Sequence, residues 1–280
     1  MGYYQLDNDT KKYIKRLNYN GIKTPTDITS VDQFIRGLKD LGIYGNMIEA
    51  WFFRKNHNAG SGNTLYAFRD GFNNGTINNI STAVWNDRGL ICTANATTSL
   101  SNYVTCNLRS NLLETCSLFS IFMSTPAGME NFTNGYPYVS SLSVNSYPSN
   151  SISIISGGSS GTSWGVESRS PFTGGISANT LFKIVKGSFT SSTILAESRN
   201  SSSTLTSAST SNTNTPRTVF YDRIIFGGRW SSGSIQSSNG AFGVGFHGTH
   251  IFHCFFNINV DFTSFESLFK STIGKGIALP

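Results

Sequence analysis

The stretch Phe242–Phe269, FGVGFHGTHIFHCFFNINVDFTSFESLF, constrains this chain more than any other. As far as Val260, nearly every second residue is apolar or aromatic. Phe246, Phe252 and Phe256 fall on one face of a strand, and Ile251 and Phe255 on the other. A strand with large apolar groups on both faces must be covered on both. At Asp261 the period changes, and Thr263 or Ser264 can cap a short helix with Phe265, Leu268 and Phe269 along one side. A buried strand running into a closing helix organises a fold; it is not by itself an active site.

The remaining residues supply what such a strand pairs with. The 280 residues are enough for one large all-β domain or two smaller ones. Charged residues make up 13%, well below the usual quarter, and Gly, Ser, Thr and Asn take their place. Aromatics are also 13%, enough burial to exclude a disordered chain. Short alternating runs recur every ten to fifteen residues: Asn63–Phe68, Ile80–Trp85, Leu100–Leu108, Ser117–Met123, Val139–Val144, Ile152–Ile155, Trp164–Glu167, Leu181–Val185 and Val219–Phe226. A turn is expected at Lys186-Gly187, and residues 187–217 read as a flexible loop or exposed edge hairpins. With no helices between the runs, this is the pattern of an antiparallel β-sandwich.

Residues 1–56 differ. Asp9–Leu17 is a helix candidate ending at Asn20-Gly21. Ser30-Val-Asp-Gln33 reads as a capping box ahead of Val31, Phe34, Ile35, Leu38 and Leu41. Tyr44, Met47, Ile48 and Trp51 repeat that spacing and suggest a second helix. The apolar face carrying Phe34, Leu38, Met47 and Trp51 is a candidate docking surface, for the β domain or for another subunit. Domains are accordingly expected at 1–56, a helical preface, and 57–280, the sandwich.

Net charge is +6 with pI near 9.2, without arginine-rich tracts or aromatic-basic interleaving, so nucleic acid is not the expected partner. No segment is long and apolar enough to span a bilayer, and the N-terminus reads as lacking a secretory leader. Cys92, Cys106, Cys116 and Cys254 show no CxxC spacing and read as small buried residues, with a Cys106–Cys116 bridge left open. His247, His250 and His253 form the one metal-like cluster. On a regular strand His247 and His253 share a face about 20 Å apart while His250 points away, so one ion cannot use all three. Asp70, Asn73 and Asn74 supply only one carboxylate, too few for calcium. No metal or cofactor is therefore expected. Trp164, Trp230, Tyr136 and Tyr138 sit in Gly/Ser/Asn-rich segments, where aromatic rings and amides could hold a sugar.

Three pieces carry a family resemblance. The first is Gly89-Leu90 followed by Tyr103-Val104 and Ser117–Phe122. The second is Leu181–Gly187 followed by Ile224–Gly228. The third is Phe246–Phe252 leading into Phe262–Leu268. Together they resemble the concanavalin A-like (laminin-G-like) jelly rolls of bacteriophage structural proteins, and the helical preface ending in Gly42–Phe52 is similar to prefaces found there. The resemblance implies a virion structural protein: a capsid decoration, head-fibre or tail-appendage component, homo-oligomeric and partnered by other virion proteins. It also admits a lectin-like module for host surface glycans. Glycanases of this fold carry E-x-D-x-x-E on the catalytic strand, and that motif is absent; Glu167, Glu197, Asp222, Asp261 and Glu266 stand apart in sequence. The chain is therefore expected not to be an enzyme.

Overall fold

The computed structural model describes residues 5–58, 60, 62–78, 84–85, 88–92, 103–109, 115–124, 138–144, 147–157, 163–167, 173–177, 182–190, 192–199, 204–211, 222–231, 234–236, 246 and 248–276. The chain opens with α1 (Asn8–Tyr19), α2 (Ile28–Asp40) and β1 (Met47–Phe52). Then come β2 (Thr64–Leu65), β3 (Gly75–Asn78), β4 (Val84–Trp85), β5 (Leu90–Cys92), β6 (Tyr103–Asn107), β7 (Cys116–Ser124), β8 (Tyr138–Val144) and β9 (Tyr147–Gly157). They are followed by β10 (Ser163–Glu167), β11 (Thr173–Ser177), β12 (Phe182–Phe189), β13 (Thr193–Arg199), β14 (Leu205–Ser211) and β15 (Arg223–Phe226). The chain closes with β16 (Arg229–Ser231), β17 (Ser234–Gln236), β18 (Gly248–Phe256) and α3 (Phe262–Ser271).

Two antiparallel sheets carry the fold. Sheet A runs β14-β13-β12-β7-β18-β5-β4, with β1 also paired to β18. Sheet B runs β11-β10-β9-β8-β15-β6-β3-β2. One core lies between the sheets and contains Trp51, Leu118, Phe122, Val185 and Phe255 from sheet A with Val104, Ile154, Ile224 and Phe226 from sheet B. A second core lies on the other face of sheet A, where Phe52, Phe119, Ile184, Phe252 and Phe256 meet Tyr13, Leu17, Phe34, Ile35, Leu38, Phe265 and Phe269 of the helices. The order is helices, sheet A, sheet B. This explains the central sequence run: every residue of β18 is buried, because helices cover one face and sheet B the other. The mainly β antiparallel sandwich expected from the sequence is the one observed.

Several local expectations are corrected. Tyr44–Trp51 is not a helix; after a short 3-10 turn, Met47–Phe52 pairs with Phe252–Phe256. Met47–Phe53 is almost wholly apolar and so also fits a strand buried on both faces, and the open flank of β18 supplies the hydrogen bonds that decide it. Of the candidate docking residues, all fully buried, Phe34, Leu38 and Met47 pack on sheet A, the β-domain alternative, whereas Trp51 lies in the core between the sheets. Phe34 meets Phe252, Phe265 and Phe269 edge-on at ring distances of 5.5, 5.8 and 6.4 Å. No turn forms at Lys186-Gly187, because β12 runs through it; Lys186 is instead buried and bonded across the ladder to Glu197 at 2.5 Å. Helix α2 starts one turn before the expected capping box. Asp261, rather than Thr263 or Ser264, caps α3, accepting from the Ser264 amide at 2.7 Å. Of the two readings of residues 187–217, the edge hairpin is the one that fits β13 and β14, which pair antiparallel with β14 at the end of sheet A. The four cysteines are buried free thiols, so Cys106 and Cys116 are not bridged.

Candidate functional site

A cleft of about 840 Å³ opens where the α1–α2 connection, Gly21–Asp27, meets the segment Arg54–Gly60 that follows β1. Its polar wall is held from behind. Asp27 precedes α2 but does not cap it with its side chain. Its carboxylate instead accepts from His57 Nε2 at 2.8 Å, Asn56 Nδ2 at 3.0 Å and Arg54 Nη1 at 2.5 Å. Arg54 also donates to the Ile273 carbonyl at 2.5 Å, tying the cleft to the end of the chain. Asn56 Nδ2 is shared with Thr26 Oγ1 at 3.3 Å.

Behind the wall, the Tyr13 hydroxyl and His57 Nδ1 lie 3.0 Å apart. Burial pushes the phenol well above its ordinary value, and the Asp27 charge adds to that push. Tyr13 therefore keeps its proton and shares one hydrogen bond with Nδ1, while Nε2–H donates to the Asp27 carboxylate. Burial alone would raise the Asp27 carboxyl, but His57 and then Arg54 outweigh it and hold the carboxyl well below the carboxylate range. The relay Tyr13–His57–Asp27 is a positioning device: Tyr13 and His57 are fully buried, and only its Asp27 end reaches the cleft. Lys23, Thr24, Thr26 and Lys55 line the rim and are exposed.

A second recess, about 510 Å³, lies between α1 and residues 66–74, bordered by Lys12, Lys15, Tyr19 and Tyr66. Arg16 anchors it, donating to the Ala67 carbonyl at 3.0 Å and to those of Phe68 and Arg69. Below it, Glu49 is fully buried and accepts from the amides of Ala50 (2.9 Å), Arg69 (2.6 Å) and Asp70 (2.9 Å), and from Asn73 Nδ2 (2.9 Å). Burial raises its pKa, although those four bonds oppose the shift. The thin calcium set is spent locally: Asp70 accepts from the Phe72 amide, Asn74 from the Ala67 amide, and Asn73 binds Glu49 and the Arg109 amide.

The histidine cluster is also rearranged. A register shift between His250 and Phe252 adds one residue, Ile251, and turns His250 to the same face as His253. His250 Nδ1 and His253 Nε2 lie 3.0 Å apart, His253 Nδ1 is 2.8 Å from Ser120 Oγ, and Ser120 Oγ is 2.7 Å from Ser140 Oγ. This buried line joins sheet A to sheet B. Burial pushes His250 down to about 3 and His253 well below the ordinary value, so both rings are neutral. His247 lies outside the described residues, and among the described residues no group of three metal-ligating side chains forms.

Of the aromatic sugar candidates, Tyr136 lies outside the described residues. Tyr138 opens β8 opposite Ile155, Trp164 on β10 pairs with Ser156, and Trp230 lies on β16, against β8 and β9. Their backbones thus gather at one end of sheet B, with Tyr138 and Trp164 on neighbouring rungs along β9. The cleft at Asp27 was not legible in sequence. Its signal was the polar joint Arg54–Gly62, which reads as a linker until the chain brings Asp27 beside it.

Among the carboxylates that stand apart in sequence, Glu197 pairs with Lys186, Asp222 with Arg223, and Glu266 with Arg199 and Lys270, while Asp261 caps α3.

The sequence matches no protein-family model and no curated protein. Its structure is similar to that of a Trypanosoma rangeli sialidase, at 7% identity over 87% of this chain and 39% of that one, with TM-score 0.50. The same sialidase in complex with sialic acid aligns at 9% identity over 81% and 33% of the two chains, also at TM-score 0.50. The VIP36 exoplasmic/lumenal domain, in a form bound to Ca2+ and Man3GlcNAc, aligns at 8% identity over 69% and 87%, with TM-score 0.41. The chain spans well under half the length of the sialidase it matches. At such identity the likeness is one of fold alone. It corrects the expectation that the chain is not an enzyme: this architecture occurs in a sialidase, so a missing E-x-D-x-x-E motif does not separate it from catalysis. The two stacked antiparallel sheets form a sandwich, the layering that the sequence resemblance implies.

Proposed function

We propose that the chain is a carbohydrate-binding module whose sugar site is the cleft at Asp27. The observation that carries this reading is the cleft's wall: a carboxylate, a guanidinium and an amide whose positions are set by buried His57 and Tyr13. Sugar hydroxyls both donate and accept, and such planar polar groups match them best when held in place beforehand. A cleft of this size suits an oligosaccharide segment. The structural likeness to a sialidase, a carbohydrate-active protein, is in keeping with the reading. Thr24 and Thr26 are exposed on the rim, so Thr26→Trp should fill the cleft without unfolding the chain. A glycan array should show binding by the unaltered chain and its loss in Thr26→Trp. Retained binding in that variant, lost instead in Trp164→Ala or Trp230→Ala, would move the site to the end of sheet B. No binding to any glycan would remove the reading.

The virion setting, with fibre, tail or capsid proteins and further copies of the chain as partners, rests on the sequence resemblance. Locating and counting copies on purified particles by cryo-EM tests it, and absence from the particle would end it.

A further inference from the structure

We infer that the cleft at Asp27 takes an anionic saccharide, one bearing carboxylate or sulfate groups; this rests on the carbohydrate reading and narrows it. Among the described residues, Lys12 pairs with Asp9, Lys39 with Asp7 and Asp9, Arg36 with Asp32, and Lys270 with Glu266, whereas Lys11 and Lys15 on α1 form no ion pair. Inside the cleft, Asp27 is likewise matched, by Arg54 at 2.5 Å. Lys23 and Lys55 line the cleft. They stand exposed on the two walls, one on the α1–α2 connection and one beside Arg54, and form no ion pair among the described residues. The cleft therefore presents two uncompensated positive charges above a neutralised polar floor. A neutral sugar would leave both charges unused, whereas an anionic one places its charge between them while its hydroxyls meet Thr24 and Thr26.

Exposed lysines act as point charges across solvent, so their contribution falls with salt, unlike a hydrogen-bonded sugar contact. The test uses the full chain and four immobilised polymers: a polyuronate, a sulfated dextran, neutral dextran and polyglutamate. The expected result is binding to polyuronate or sulfated dextran over neutral dextran and polyglutamate, weakening as salt rises from low to physiological ionic strength. Lys23→Glu/Lys55→Glu should weaken that binding about tenfold or more, the loss of about 1.4 kcal/mol, with an unchanged melting temperature. Binding of neutral dextran that the charge reversals leave alone would overturn this inference but keep the carbohydrate site. Equal binding to polyglutamate would show a general polyanion patch and overturn it too. No binding to any polysaccharide would remove both.

Discussion

At the scale of single residues, the buried polar groups do the most specifying. The line His250–His253–Ser120–Ser140 crosses the core between the sheets, among Phe53, Phe226 and Phe246. Both rings are neutral when folded, but the unfolded chain protonates them near 6.5. Between about pH 6.5 and the folded value of about 3 for His250, the unfolded state binds more protons. Stability is therefore full above pH 6.5 and falls with pH at about 1.4 kcal/mol per unit for His250 alone. Thermal melts from pH 7.5 to 4 should show this slope. The pair His250→Leu/His253→Leu should flatten it, since both partners then become apolar together; an unaltered slope would place the pH dependence elsewhere. Glu49 is a comparable hub. Glu49→Ala strands the Arg69 and Asp70 amides and the Asn73 side chain, and should cost about 3 kcal/mol or more in urea denaturation.

At the scale of elements, β18 is the axis and its neighbours fit it closely. Gly89, just before β5, shows how closely. A Cβ at that position would lie 1.9 Å from the His250 carbonyl oxygen, which belongs to the backbone and cannot swing aside. Gly89→Ala should part β5 from β18 at Leu90–His250 and cost about 1–3 kcal/mol, seen as a lower melting temperature and faster amide exchange at Leu90 and His250. On the other face, Phe34 anchors α2 to Phe252 and α3. Phe34→Ala should cost about 3–5 kcal/mol in urea denaturation, because three aromatic rings lose their common partner. A loss below about 1 kcal/mol would mean that the helices rest loosely on the sheet.

At the scale of the whole molecule, three layers make the helices part of the fold. Residues 57–280 alone would lack β1, leaving Phe252–Phe256 paired to β7 alone, and would lack α1 and α2, leaving α3 as the only helix on that side of sheet A. That fragment should show no cooperative melt and should aggregate, because a large apolar face meets water. A fragment that melts cooperatively near the temperature of the full chain would instead make the N-terminal region a separable docking segment. The cleft depends on the same assembly. Asp27 comes from the helical region, Arg54 and His57 from the segment after β1, and the Ile273 carbonyl from beyond α3.

The sequence by itself determined the sandwich, the closing helix and the buried status of the central strand. Each of these is a local pattern: an alternation, a change of period, or large apolar groups on both faces of Phe246–Phe256. It also determined that α1 and α2 are helices, through their apolar spacing. Tertiary structure decided the rest. Met47–Phe52 belongs to a nearly continuous apolar run that suits a helix or a buried strand, and the free flank of β18 resolved it. The extra residue at Ile251 brought His250 beside His253, which no count of residues along a regular strand foresees. The cleft came last, because Asp27, Arg54 and His57 are ordinary in isolation. Their chemistry appears when two segments about thirty residues apart meet, and burial of His57 and Tyr13 lowers the screening that would otherwise dissolve their coupling.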